Sequence, residues 1–230
     1  MIYEIIFIII PIVFFVILLF YWRIKYFFRD PERMVPVGEN IVSPADGTVV
    51  YIKKIEKNCV PISIKLNRKI LLTEILKTDP LFEPFYIVGI FMHPTDVHVN
   101  RAPIDGKVKK IVYTRGRNLP MTIMWWRVLL RLKPYESFST HIITNERNTV
   151  LIEGEKMKVY IVQIADLYVK KIECWVNEGS DVAKGERIGR IITGSQVDLI
   201  LPQNAKILIK EGYKVKAGES VIAEYKPNIC

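Results

Sequence analysis

The sequence predicts a mainly β (α+β) domain, an antiparallel barrel or sandwich built from hairpins, carried by one N-terminal membrane helix. Three observations predict it. Short runs rich in Val, Ile and Tyr recur at close spacing, bounded by Gly, Pro or Asp. Two turn motifs each occur twice. Residues 5–22 carry no charge, whereas the whole chain of 230 residues has a net charge of +9.

The uncharged stretch from Ile5 to Trp22 is 18 residues long and contains Pro11, near the lower limit for a spanning helix. Glu4 precedes it, and Arg23, Lys25 and Arg29 follow it. A signal peptide has the reverse order, so residues 1–26 read as a retained anchor with its basic flank. Residues 27–230 then form the domain, on the cytoplasmic side of the cell membrane. A helix lying in the interface is the alternative. The positive charge suits an anionic membrane surface. No basic stripe interleaved with aromatics points to nucleic acid.

Beyond the anchor, Thr48–Ile52, Phe85–Phe91, Gly106–Tyr113, Met157–Ile164 and 169–176 read as strands. Pro44-Ala-Asp-Gly-Thr-Val49 pairs with Pro103-Ile-Asp-Gly-Lys-Val108, an Asp-Gly turn opening a strand each time, and 201–207 is a looser third copy. Glu178-Gly-Ser-Asp-Val-Ala-Lys-Gly-Glu186 matches Glu211-Gly-Tyr-Lys-Val-Lys-Ala-Gly-Glu219 at five positions. This doubled pattern resembles the barrel-sandwich hybrid core of lipoyl-like carrier domains. Pro120–Leu132, with adjacent Trp125 and Trp126 and only Arg127 and Arg131 as charges, reads either as a short interfacial segment or as a core helix. Cys59, Cys174 and Cys230 are odd in number and far apart, which suggests neither disulfides nor zinc. Cys59 and Cys174 read as core residues.

The chemistry centres on Gly194-Ser195, set between the apolar runs Arg187–Ile192 and Val197–Leu201. The Ser195 hydroxyl can attack the Gly194 carbonyl, turning amide into ester. Elimination then frees Gly194 as a new C-terminus, and the dehydroalanine left behind hydrolyses to a pyruvoyl group with loss of ammonia. Such a ketone can act as an electron sink, a task protein side chains do not perform. No glycine-rich phosphate loop suggests pyridoxal phosphate, and no histidine spacing suggests a metal.

Phe28-Arg-Asp-Pro-Glu-Arg33, Ser43-Pro-Ala-Asp-Gly47, the 91–103 segment with Asp96-Val-His-Val-Asn-Arg101, Asn145-Glu-Arg147, Gln163-Ile-Ala165, Gly185-Glu-Arg-Ile-Gly189 and Gly194-Ser195 occur in order. Together they resemble the phosphatidylserine decarboxylase family in its short, type A branch, over about Phe27 to Glu224. The resemblance implies a proenzyme cleaved into a β chain, 1–194, and an α chain, 195–230. Ser195 becomes the pyruvoyl cofactor and the Schiff-base site, and carbon dioxide leaves a membrane phospholipid bearing serine, either phosphatidylserine or archaetidylserine. It also implies Asp46 in the self-cleavage relay and His98 as proton donor or base. Arg101, Asn100 and His93 are candidates for substrate binding, although His93, before Pro94, also reads as structural. A homo-oligomer stays open.

The departures from the family are specific. Arg101 stands where long-form relatives have a second histidine. Thr193 and Gln196 flank the cut where Phe and Arg are usual, Asp166 stands where Gly usually follows Ile-Ala, and Val169-Lys170 replace a common Ala-Arg. By residue chemistry alone Asp46 and Asp105 are equivalent turn formers. His98 alternates with Val97 and Val99 and reads as a polar-face histidine. His141 is isolated and reads as solvent-facing or as a strand residue. A non-enzymatic membrane-anchored carrier or adaptor with a lipoyl-like domain is the rival, with Lys156-Met-Lys158 as its modification site, and a metallopeptidase is a weaker one.

Overall fold

Strands of β-branched residues buried on both sides need an apolar layer on each face, and the chain provides two. The computed structural model describes residues 2–62, 70–167, 172–192 and 194–226. Its strands are β1 (Asn40–Val42), β2 (Gly47–Lys54), β3 (Cys59–Val60), β4 (Ile70–Leu71), β5 (Pro84–Met92), β6 (Val99–Arg101), β7 (Gly106–Thr114) and β8 (Arg147–Glu153). They continue with β9 (Lys158–Ala165), β10 (Ile172–Cys174), β11 (Asp181–Val182), β12 (Arg187–Ile191), β13 (Ser195–Pro202), β14 (Ala205–Ile207), β15 (Lys214–Val215) and β16 (Val221–Tyr225). The helices are α1 (Ile2–Tyr21), which runs on into a π-helical turn over Trp22–Phe27, then α2 (Leu72–Leu76), α3 (Thr122–Leu129) and α4 (His141–Thr144).

An eight-stranded antiparallel sheet, ordered β11-β7-β8-β9-β13-β5-β2-β15, divides the domain. On one face it packs against two three-stranded sheets, β1-β16-β14 and β10-β12-β6, around Ile41, Met92, Ile161, Ile191, Leu199 and Ile222. On the other face Leu72, Ile75, Met121, Met124 and Ile142 bring α2, α3 and α4 down onto Phe91, Tyr160 and Ile200. β13 lies at the centre, between β9 and β5, and its alternate side chains feed the two cores.

The doubled motifs are two structurally equivalent units. Asp181-Val182 pairs with Gly106-Lys107, and Lys214-Val215 pairs with Gly47-Thr48, at matching offsets. The Lys184 N–H donates to Asp105 Oδ1 at 2.9 Å, and the equivalent Ala217 N–H donates to Asp46 Oδ1 at 2.7 Å. The Glu178 carboxylate accepts from the Ile111 N–H and the Glu211 carboxylate from the Ile52 N–H. Bulges between Val49 and Tyr51 and between Val108 and Lys110 fall at the same place in each copy, bending the sheet over its small partners.

In α1, residues 7–21 are exposed. The helical stretch from Phe7 to Phe27 is long and apolar enough to cross a membrane by length and composition, with a mean hydropathy of 2.5. Several expectations change in detail. β10 is shorter than the 169–176 strand, whose first residues, like Thr193 and Cys230, lie outside the described ones. Cys59 and Cys174 are half-buried because each lies on a short strand rather than in a core. Pro120–Leu132 yields α3, which buries Met124 yet exposes Ile123, Trp126 and Leu129, so it has both a core face and a solvent face.

Candidate active site

Ser195 is the first residue of β13, level with Met92 on β5 and Ala165 on β9, and it is fully buried. The pleat turns it to the same side as Val197 and Leu199. Its Oγ lies 3.2 Å from Met92 Sδ, which the Asn100 amide also approaches at 3.7 Å. A chain of buried amides stands behind Asn100. Gln163 Nε2 donates to Asn100 Oδ1 at 2.8 Å, and Asn148 Nδ2 donates to Gln163 Oε1 at 2.9 Å. Among the described residues the serine hydroxyl therefore has only a soft, weak acceptor, within a polar seam that is otherwise satisfied.

Gly194 has φ +28°, and a Cβ added to it would lie 2.6 Å from Asp166 Oδ2. The position needs glycine for conformation and for space. Asp166 follows β9. Its Oδ1 accepts from the Met121 N–H at 2.9 Å and the Leu167 N–H at 2.6 Å. Burial raises its pKa, opposed by those two N–H groups. Asp166 and Gly194 line a pocket of about 210 Å³ together with Phe91, Met121, Thr122 and Trp125. It lies under α3, on the helix side of the sheet.

His98 precedes β6 and is 3% exposed. The expected polar face is absent because Phe27, from the end of the π-helical turn, packs on the ring with centroids 4.3 Å apart. Nδ1 lies 2.9 Å from the Asp96 carbonyl. A carbonyl only accepts, so the network assigns the proton to Nδ1. Nε2 is buried with no hydrogen-bond partner among the described residues. Burial pushes the imidazole pKa down to about 4, against the pull of the Asp96 carbonyl and carboxylate. His98 is thus a neutral ring with a free lone pair. Its own carbonyl accepts from the Ile191 N–H at 3.2 Å, four residues before Ser195.

The other predicted residues are deployed differently. Asp46 binds Arg33 Nη2 through both oxygens, at 3.0 and 2.9 Å, as well as the Ala217 N–H, and bonds to neither His98 nor Ser195. It reaches the serine indirectly, because the Pro44 carbonyl of its turn accepts from the Arg101 N–H and, at 3.4 Å, from Asn100 Nδ2. Arg101 donates to Gly185 O at 2.9 Å, Asp30 Oδ1 at 2.8 Å and Pro31 O at 3.1 Å, so its guanidinium clamps the segment that follows the π-helical turn. His93 stacks on Trp125 with centroids 5.8 Å apart, and its Nδ1 meets Thr95 Oγ1 at 2.8 Å.

A second polar group lies on the helix face of β13. The Tyr51 hydroxyl donates to Asp198 Oδ1 at 2.7 Å, while Gln196 Nε2 reaches Asp198 Oδ1 at 2.6 Å and the Tyr51 oxygen at 2.7 Å. His141 Nε2 meets Gln196 Oε1 at 3.2 Å. Contrary to the solvent-facing expectation, His141 is buried in α4. Burial drives Asp198 up to about 6 and His141 down to about 4. Asp198 interrupts an apolar run in the sequence, and Asp198-Leu-Ile-Leu-Pro202 is among the residues that carry the family resemblance; neither signal shows the network's other members Tyr51 and His141.

Fold and site define the class first: a mainly β protein whose central strand opens on a buried serine beside a pocket. The model of the phosphatidylserine decarboxylase family matches residues 20–223. Over 201 residues the chain is 39% identical to a protein of Methanocaldococcus jannaschii named "Putative archaetidylserine decarboxylase proenzyme", covering 86% of this chain and 87% of that one. Over 202 residues it is 38% identical to the "Phosphatidylserine decarboxylase proenzyme" of Syntrophus aciditrophicus, covering 87% and 78%. The chain belongs to the phosphatidylserine decarboxylase family and is a decarboxylase. The carrier rival falls with that membership.

Proposed function

We propose that the chain is a proenzyme that cuts itself between Gly194 and Ser195, giving chains 1–194 and 195–230. Ser195 becomes a pyruvoyl group, and the mature enzyme converts a serine phospholipid to its ethanolamine counterpart at the cytoplasmic face of the membrane. Both diacyl and archaeal ether lipids fit, because the reaction touches only the headgroup. The observation that carries the proposal is Ser195, buried at the head of β13 behind a positive-φ glycine that its surroundings demand. The donor set fits a group made from the chain itself: a hydroxyl held, among the described residues, only by a thioether is free to attack. When formed, the ketone supplies the electron sink for the carbon that loses carbon dioxide.

The other residues serve that site. His98, neutral with Nε2 open, takes up and returns protons in water-poor surroundings. Asp46 fixes the 43–47 turn against Arg33 and Ala217, and through Pro44 it positions Asn100 beside Met92 and Ser195. Asn100 and His93 stay the substrate-side candidates. The equivalent hairpin units support a barrel-sandwich core, and α1 supports a substrate that stays in the bilayer.

Intact-mass measurement of the purified protein is the test. Two chains split after Gly194, the smaller carrying a pyruvoyl mass, are expected, with Ser195→Ala remaining one chain without turnover. A single unmodified chain that still decarboxylates the lipid would falsify the proposal.

A further inference from the structure

Asp166 is a carboxylate with one oxygen committed and one unused. Oδ1 accepts both N–H groups that fix the side chain, from Met121 and Leu167. Oδ2 accepts no hydrogen bond among the described residues and lies 2.6 Å from the point where a Gly194 side chain would begin. The pocket around it is otherwise apolar apart from the Thr122 hydroxyl, with Phe91, Met121 and Trp125 as walls. A half-buried carboxylate against apolar walls attracts a cation more strongly than one fully in water. No basic side chain is paired with it among the described residues.

We propose that Asp166 Oδ2 is the subsite for the primary ammonium of the lipid headgroup. The inference rests on the function proposed above and adds a residue to it. In that reaction the substrate amine has to reach the carbon from which Ser195's own nitrogen departs. It therefore comes through the space that Gly194 occupies before cleavage, and Asp166 borders that space. The free oxygen holds the ammonium there by a charge-assisted hydrogen bond. Gly194 is required in the precursor partly because that oxygen already stands at the entrance.

The test compares Asp166→Asn with the unaltered protein, each cleaved and verified by intact mass. Asparagine keeps an oxygen for the Met121 and Leu167 N–H groups and removes only the charge facing the pocket. Two water-soluble probes that cannot condense with the ketone are titrated by calorimetry: glycerophospho-N,N-dimethylethanolamine, whose tertiary ammonium keeps its charge and one N–H but forms no Schiff base, and the analogue with hydroxyl in place of ammonium. The unaltered protein is expected to prefer the ammonium probe. Asp166→Asn should lose that preference, with affinity falling roughly 10-fold to 100-fold, while the hydroxyl probe binds both proteins alike. For lipid substrate, KM should rise more than kcat falls. Equal preference in the two proteins overturns the inference. So does an Asp166→Asn chain that stays uncut, since the carboxylate then serves the bond and not the ligand, and Asp166→Glu, which restores a charge, should recover cleavage in that case. If the unaltered protein neither cuts itself nor decarboxylates, the proposed function falls first, so the two failures are distinguishable.

Discussion

Asp198 is fully buried, and Tyr51 and Gln196 both bond to its Oδ1 while Oδ2 has no hydrogen-bond partner among the described residues. Burial raises its pKa from 3.8 to about 6, against the hydrogen bonds of Tyr51 and Gln196 and the charge of Arg147. A carboxyl whose folded pKa lies above its unfolded one favours the fold in its neutral form. That stability is complete below pH 3.8 and is lost as pH rises through about 6. Asp198→Asn mimics the neutral form at every pH. Its Tm relative to the unaltered protein should therefore climb between pH 4 and pH 7, by thermal unfolding of the Ser195→Ala background, and a pH-independent difference would count against the assignment. The same strand shows what was legible at this scale. Gly194-Ser195 and the nearby apolar runs could be read because their meaning is local. The network of Asp198 could not, because Tyr51 and His141 reach it only after β2, α4 and β13 have come together.

The element that most changes the site is the π-helical turn that follows α1. Phe27, at its end, is buried against His98 and makes an edge contact with Phe28, with centroids 5.2 Å apart. Arg29 continues the contact by donating to Thr95 O at 2.6 Å. The end of the π-helical turn thus covers the histidine ring. The charged and titratable groups that act on the ring are Asp96, Arg29 and His93. Phe27→Ala admits water, so the pKa of His98 should rise from about 4 towards 6.5, read by NMR titration of its ring protons. Phe27→Leu, which keeps most of the apolar cover, should shift it less. An unmoved pKa in both variants would mean that the sheet alone desolvates His98. The repeated hairpins were legible for the opposite reason: Gly179 and Gly212, with φ +88° and +93°, mark turns that local conformation alone specifies.

At the scale of the whole molecule, the segment after α1, the His93–Thr95 turn and α3 are contiguous. Arg29 bonds to Thr95, and Trp125 stacks on His93. Trp125 and Trp126, adjacent in sequence, part company: Trp125 lines the pocket at Gly194, while Trp126 is 52% exposed, with Leu129 and Leu130 at 55% and 59%. An apolar face on a chain of net charge +9, whose N-terminal helix is long and apolar enough to cross a membrane, is suited to resting on anionic lipid. It would set the mouth of the Asp166 pocket near the headgroups, so that the substrate need not leave the bilayer. In a chain lacking residues 1–21, Trp126→Ala with Leu129→Ala should weaken binding to vesicles containing anionic phospholipid. Each side chain contributes about 1.5–3 kcal/mol when fully buried, so a loss of roughly tenfold or more is expected in a vesicle co-sedimentation assay. Raising salt should weaken the residual binding further, because the lysine and arginine contribution is screened. Trp125→Ala belongs to the pocket and should leave vesicle binding nearly unchanged, so the pair separates the two faces of α3. If the double substitution binds vesicles as the parent does, the exposed face is not the membrane contact, and α1 alone brings the site to its lipid.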